Sequence, residues 1–312
     1  MYVSFLMKGD KMAQAVVSEK YMNEDGQIHA YPYQRNSQYL SESLGLYMNY
    51  LCLVRDQQGF EEQYMSLVNH FIVQKDEEYY INWVLQEGTT VNALIDDIRI
   101  IDSLNQAGEI FHEEKYRILA EQLLNTIRTR QIFAGLYTDF YDWSLDLPAS
   151  RITLSYMTSE FFQYLPNAER NKQLFKQIKR TSIFFPEYFD LQKNQWVSAE
   201  EAHMVDQLLI ALNMERSGIE PYFKNWVIAE WKAEKMIYGR YDKQLLQPTV
   251  SHESLAVYYY LYNYFLEIKE RKLAREVFER AEQLASLAAQ KDERHFFDFI
   301  QFELMRIEEE ER

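Results

Sequence analysis

Cysteine is almost absent from these 312 residues. Cys52 stands alone, so no internal disulfide can form, and its place after Leu51 in an apolar helical pattern reads as a buried, inert thiol. Glycine (9) and proline (6) are scarce as well, which leaves few positions where a helix is forced to stop. No run approaches 18 consecutive apolar residues, so no membrane-spanning helix is expected. The apolar opening, Met1 to Met7, is too short for the core of a signal peptide and leads into no cleavage pattern. Positive charge is in deficit too: a net charge of −15 offers no basic footprint for nucleic acid or an anionic membrane surface.

The signatures of cofactor chemistry are missing in the same way. His29, His112, His203 and His252 are too scattered for a zinc spacing, and no His-Glu-x-x-His occurs. There is no glycine-rich phosphate loop and no Gly-x-Ser-x-Gly elbow. The acidic pair Asp96-Asp97 meets Ile100 where a magnesium-binding Asp-Asp-x-x-Asp helix needs its last carboxylate, which excludes that site. No cofactor and no metal are expected.

What remains is helical. The chain is 47% hydrophobic, with long stretches rich in Leu, Ala, Glu, Gln and Lys. The pattern predicts helices over 8–22, 41–56, 60–71, 91–106, 113–130, 154–164, 168–183, 198–216, 221–235, 252–271, 272–290 and 294–309, with an extended stretch at 78–84. The acidic run Glu308 to Glu311 reads as a solvated helix end. No linker rich in Gly, Ser or Pro divides the chain, so a single domain over 1–312 is expected. The spacing is wrong for tetratricopeptide arrays. Six helix hairpins closed into an all-α (α/α)6 barrel account for the count and would gather the loops at one mouth.

Four acidic stretches are candidates for chemistry. Ser41-Glu42-Ser43-Leu44-Gly45-Leu46-Tyr47-Met48 reads as a helix start, with Ser41 as N-cap and Glu42 in the first turn, where the helix dipole favours a carboxylate. Asp96 and Asp97 open a second helix, with Asp96 a plausible cap. The least helical segment, 135–148, sets Tyr137, Asp139, Tyr141, Asp142, Trp143 and Asp146 together. Rings beside carboxylates suit a sugar cleft, and equally a hydrophobic plug. Residues 198–207 hold Glu200, Glu201, His203 and Asp206, again acids that a helix start would favour.

The first of these strings resembles the Ser-Glu-x-x-Gly-Tyr-Gly-Met motif of glycoside hydrolase family 8, departing at Leu46 and Tyr47. Asp97-Ile98 resembles the second Asp of that family's Asp-x-Asp-Ile-Ala-Tyr-Ala-Leu segment, with Ile95 in place of the first. Glu201-Ala202 stands where the family carries Asp-Ala in Tyr-Asp-Ala-x-Arg, and Met204 replaces the Arg. The likeness is greatest to the divergent, exopolysaccharide-associated branch of Gram-positive bacteria.

The resemblance implies an endo-acting, inverting hydrolase of a bacterial exopolysaccharide or β-linked glycan. Glu42 is then the general acid, held protonated by burial or by a like charge such as Asp97. Glu201, Asp206 or an acid of 139–146 is the base, roughly 6.5–9.5 Å away to leave room for water. Asp96, Asp97, Asp139 and Asp142 would bind sugar, with Tyr137, Trp143 and Tyr241 as stacking rings. The implied partners are the polysaccharide and its synthesis machinery. The implied location is extracellular or the cell surface, with the leader outside this chain, although one cysteine fits the cytosol equally. A non-catalytic polysaccharide binder and a helical scaffold are the competing readings.

Overall fold

The structure, a computed structural model, describes residues 12–178, 182–220, 222–289 and 294–312. Parts of the expected helices at 8–22, 168–183, 221–235 and 272–290 lie outside the described residues. The chain packs as two compact units: Met1–Ile127, Asp142–Asp146 and Leu287–Arg312 in the first, Arg128–Tyr141 and Leu147–Ser286 in the second.

In the first unit the central element is the Ser41–Leu53 helix. Ten of its 13 residues are buried, so it has no solvent face to speak of, as expected of a helix apolar nearly all round. It packs against Leu94–Ile110, Gln57–Ser66 and Phe296–Glu310. Gly45 is what lets the Leu94 helix come close: a Cβ there would meet Ile100 Cγ1 at 3.0 Å and Arg99 Cδ at 3.3 Å. Ser41 is not the cap. Leu40 holds that position with no side-chain bond, because residues 39–41 run antiparallel to 83–85. The Ser41 amide donates to the Trp83 carbonyl at 3.0 Å, and the Leu85 amide to the Tyr39 carbonyl at 3.0 Å. Backbone pairing therefore supplies what a capping side chain would. The extended stretch is a hairpin, Ile72–Lys75 against Glu78–Ile81, with Ile72 opposite Ile81.

In the second unit the Met204–Arg216 helix packs against Leu255–Glu267 and against the short turn Leu154–Tyr156. Two small β elements interrupt the helices. Arg151–Thr153, Tyr188–Asp190 and Gln195–Val197 form an antiparallel sheet, and Glu201–His203 pairs with Arg240–Asp242. The second departs from expectation, since 198–203 was expected to be helical. Met204 is the first helical residue, and Glu201 sits on a strand. An aromatic cluster fills the interior, with Trp226 edge-on to Tyr241 at 5.2 Å and Phe184 edge-on to Trp226 at 4.7 Å.

One turn design occurs three times. In Tyr141-Asp142, Phe189-Asp190 and Tyr241-Asp242 an aromatic precedes an Asp whose Oδ1 accepts the amides two and three residues on. The fourth residue after each Asp then has positive φ: Asp146 (57°), Asn194 (50°) and Leu246 (56°). These are Asx-type turns, which close their own hydrogen bonds locally.

Gly45→Ala tests the close approach. In an unconstrained helix the change gains about 1 kcal/mol. Here Ile100 is fully buried and cannot retreat freely, so overpacking of about 1–3 kcal/mol should win. The melting temperature should fall; an unchanged or higher value would show that the Leu94 helix yields.

Candidate active site

Four groups of the first unit form a chain of polar contacts across the junction of the Ser41 and Leu94 helices. Ser41 Oγ lies 3.3 Å from Asp96 Oδ2, Arg99 donates to Asp96 Oδ1 at 2.7 Å, and its other terminal nitrogen lies 3.8 Å from Glu42 Oε1. The Glu42 side chain is 32% exposed, against 8% for Asp96 and 16% for Arg99. Glu42 is thus the carboxylate of the group that solvent, or a ligand, can reach. The first turn of the Ser41 helix aims it outward, and the pairing of 39–41 with 83–85 fixes that turn. Burial pushes the Asp96 carboxyl up from its ordinary value, while the Arg99 charge and the Arg99 and Ser41 hydrogen bonds pull it back.

Asp97 is more deeply committed. It is buried, accepts from the Asn92 amide at 2.5 Å through Oδ2, and its Oδ1 has no partner. Burial holds its carboxyl well above the usual carboxylate range, against the pull of Asn92 and with a further push from the Asp96 charge. The like charge expected beside Glu42 is therefore turned inward on Asn92, and Glu42 has the Arg99 guanidinium as an ion-pair partner.

The 137–146 segment is chiefly structural. Asp139 is buried and accepts from the Thr153 amide (2.6 Å), the Thr153 hydroxyl (2.6 Å) and Arg151 Nε (2.9 Å). It clips the Arg151–Thr153 strand in place. Burial raises its carboxyl, opposed by the Thr153 and Arg151 contacts. Asp142 is the turn-former already described. Despite some desolvation, bonds from Ser144, Leu145 and Thr90 hold its carboxyl below the usual range. Tyr137 is buried, donates to the Pro166 carbonyl at 2.9 Å and meets Phe161 edge-on. Trp143 is 7% exposed and lies over Tyr80 at 5.1 Å, and Tyr241 is fully buried under Trp226. The three rings expected as stacking platforms are interior rings.

The second unit keeps the two expected base candidates close in sequence and different in setting. The carboxylate of Glu201 is held by Arg240 at 3.2 Å. A Thr249 hydrogen bond, then Arg240, lowers its carboxyl pKa from the ordinary value. Asp206, in the first turn of the Met204 helix, lies 3.3 Å from His203 Nδ1, and its side chain is 43% exposed.

Two residues of the first unit were missed by the sequence reading. Arg99 carries a readable signal, its i,i+3 spacing from Asp96. Trp83 is 38% exposed, and its carbonyl accepts from both the amide and the hydroxyl of Ser41. It is a partly open ring anchored one residue from Glu42, and only the pairing of 39–41 with 83–85 reveals it. Among the described residues no cluster of His, Cys, Asp or Glu could hold a metal ion.

No known family model matches the chain. Its similarity to solved structures defines its class. Endoglucanase Cel10 of Klebsiella pneumoniae, a family 8 glycosyl hydrolase, superposes with a TM-score of 0.66 at 10% identity, covering 96% of this chain and 99% of that one. An α-amylase of Clostridium perfringens superposes at 0.80 with 16% identity, over 96% and 97%. The fold is the all-α (α/α)6 barrel of family 8, as the helix pattern led one to expect. PssZ of Listeria monocytogenes is more similar still: TM-score 0.87, 31% identity, 94% of both chains. The chain belongs to the family of PssZ, a divergent branch with the family 8 fold. YdaJ of Bacillus subtilis (strain 168), which carries the name of a lipoprotein, is 28% identical over 257 residues, 79% of this chain and 69% of its own length.

The raised Asp97 carboxyl has a sign that can be tested. A group protonated more readily in the fold contributes stability that is complete below its unfolded pKa and is lost as pH rises through the folded value. Asp97→Asn, which keeps the Asn92 contact without the charge, should raise the melting temperature at pH 8 more than at pH 5. Equal shifts at both would show that Asp97 is not held protonated by burial.

Proposed function

We propose that the chain is an endo-acting glycoside hydrolase of a bacterial exopolysaccharide, or another β-linked glycan, that works with inversion. Glu42 gives its proton to the glycosidic oxygen as the bond to the anomeric carbon breaks. Water attacks that carbon from the opposite face, and Glu201 or Asp206 takes the water proton. The observation that carries the reading is Glu42 itself: a partly exposed carboxylate, 3.8 Å from the Arg99 guanidinium, at the start of a buried helix in a family 8 fold. Asp97, expected as a sugar ligand, is turned inward on Asn92 and keeps its free oxygen buried, so it does not contribute to this reading. Among the fold's relatives are, by name, endoglucanases and an α-amylase, so the glycan class is supported more firmly than the linkage. The lipoprotein name of YdaJ supports action at the cell surface; the machinery that makes the polymer is the partner this reading implies.

A second reading has a specific observation behind it. Glu201 is tied to Arg240, and Met204 stands where family 8 has its Arg, so one of the two base candidates is altered in partner and neighbour. A chain without a working base would bind polysaccharide and not cut it.

Breakdown of purified bacterial exopolysaccharides, β-glucans and starch, compared between this protein and Glu42→Gln, decides between them. Loss of about 10²–10⁴-fold in rate, with the circular dichroism unchanged, is expected of a general acid, and proton NMR of the fresh product should show the inverted anomer. Cleavage that persists in Glu42→Gln removes Glu42 from the mechanism; binding without cleavage by the parent chain supports the second reading. Trp83→Ala should raise KM with little change in kcat. A lost ring contact is worth about 0.5–1.5 kcal/mol, or roughly two- to tenfold in affinity.

A further inference from the structure

The second unit contains a cavity of about 740 Å³ that includes none of the candidate catalytic residues. That is the size of a pocket for a sugar or small organic ligand, and far more than a bare ion needs. Its charge is unlike that of the protein. Arg128, Lys172 and Arg216 line it against a single carboxylate, Glu169, in a chain whose net charge is −15. Arg216 is shared with Glu267 at 3.3 Å, and Arg128 donates to the Tyr164 carbonyl at 3.0 Å. Lys172 has no ion-pair partner among the described residues.

Two further features point to an occupant with hydroxyls as well as charge. The Glu169–Gln177 helix begins at the cavity wall, and its N-cap, Ala168, has no side chain to satisfy the first amides. Such a terminus adds positive potential and donors. Asn213, on the same wall, is buried and gives its amide to the Ser155 carbonyl at 3.3 Å, while its carboxamide oxygen has no partner. An unsatisfied buried acceptor calls for a donor such as a ligand hydroxyl. Phe162, Leu165 and Pro166 supply the apolar surface on which the C–H face of a ring can lie.

We infer that this cavity is a binding site for an acidic sugar, one bearing a phosphate or carboxylate beside free hydroxyls. The cations and the helix terminus take the anion, Asn213 takes a hydroxyl, and the apolar wall takes the ring.

Isothermal titration of the full chain at low salt, with glucose 6-phosphate, glucuronate, glucose and inorganic phosphate, tests this. At least one of the two acidic sugars should bind, and the tighter one identifies the anionic group. Glucose should bind at least tenfold more weakly, and inorganic phosphate more weakly than the acidic sugar. Lys172→Glu should lower the affinity tenfold or more with the melting temperature held. Lys232→Glu, the same charge change on a residue that does not line the cavity, should leave it unchanged. Rising salt should weaken binding, as screening requires. The proposal is overturned if neither acidic sugar binds or if glucose binds as well. Equal loss in both variants, or none in Lys172→Glu, would overturn it too.

Discussion

Asp96 and Asp97 are adjacent carboxyl groups taken into the same protein interior, and much of the first unit answers to that burial. An uncompensated buried charge is among the costliest features a fold can carry. Asp96 is answered by a guanidinium and a hydroxyl, and Asp97 by one amide, with burial raising its carboxyl pKa. The answers constrain everything nearby. Ser41 must lie inside the helix for its hydroxyl to reach Asp96, so the chain before it is held by backbone pairing. Arg99 lies along the helix junction, and the facing Gly45 leaves room for its stem and for Ile100. Glu42 comes out partly exposed, with Arg99 3.8 Å away and already engaged by Asp96.

The helical frame was legible because little in the composition opposes it. The expected segments are met within a few residues by Ser41–Leu53, Leu94–Ile110, Glu114–Arg130, Leu255–Glu267 and Arg271–Ala289, where periodicity runs unbroken. Residues 198–203 were misread as helix for a physical reason. The strand there is three residues long, too short for an alternating pattern to stand out, and its partner at 240–242 is far off in sequence. The roles of individual side chains were least legible where they depend on burial. The same rings, Tyr137 and Tyr241, could serve a cleft or a core, and only packing shows that they are core.

The placement of the acids separates two kinds of information. Fold similarity at 10–16% identity speaks of helix order and nothing finer. The contacts of the Glu42 cluster are read from this chain itself, in which Arg99 stands where the family 8 segment that 97–98 resembles has Ala. Even so, the acidic positions 42 and 97 coincide with that family's motifs while the surroundings have changed.

The contact between Gly45 and Arg99 reaches beyond this molecule. Ile100 Cγ1 and the stem of Arg99 both lie against the bare α-carbon of Gly45, and the buried Ile100 has less room to give than the flexible stem. A glycine at 45 therefore leaves position 99 free to hold a long side chain or a short one. Reading position 99 across the lineage would sort chains that set an internal cation beside their outward glutamate from those that leave it to other neighbours.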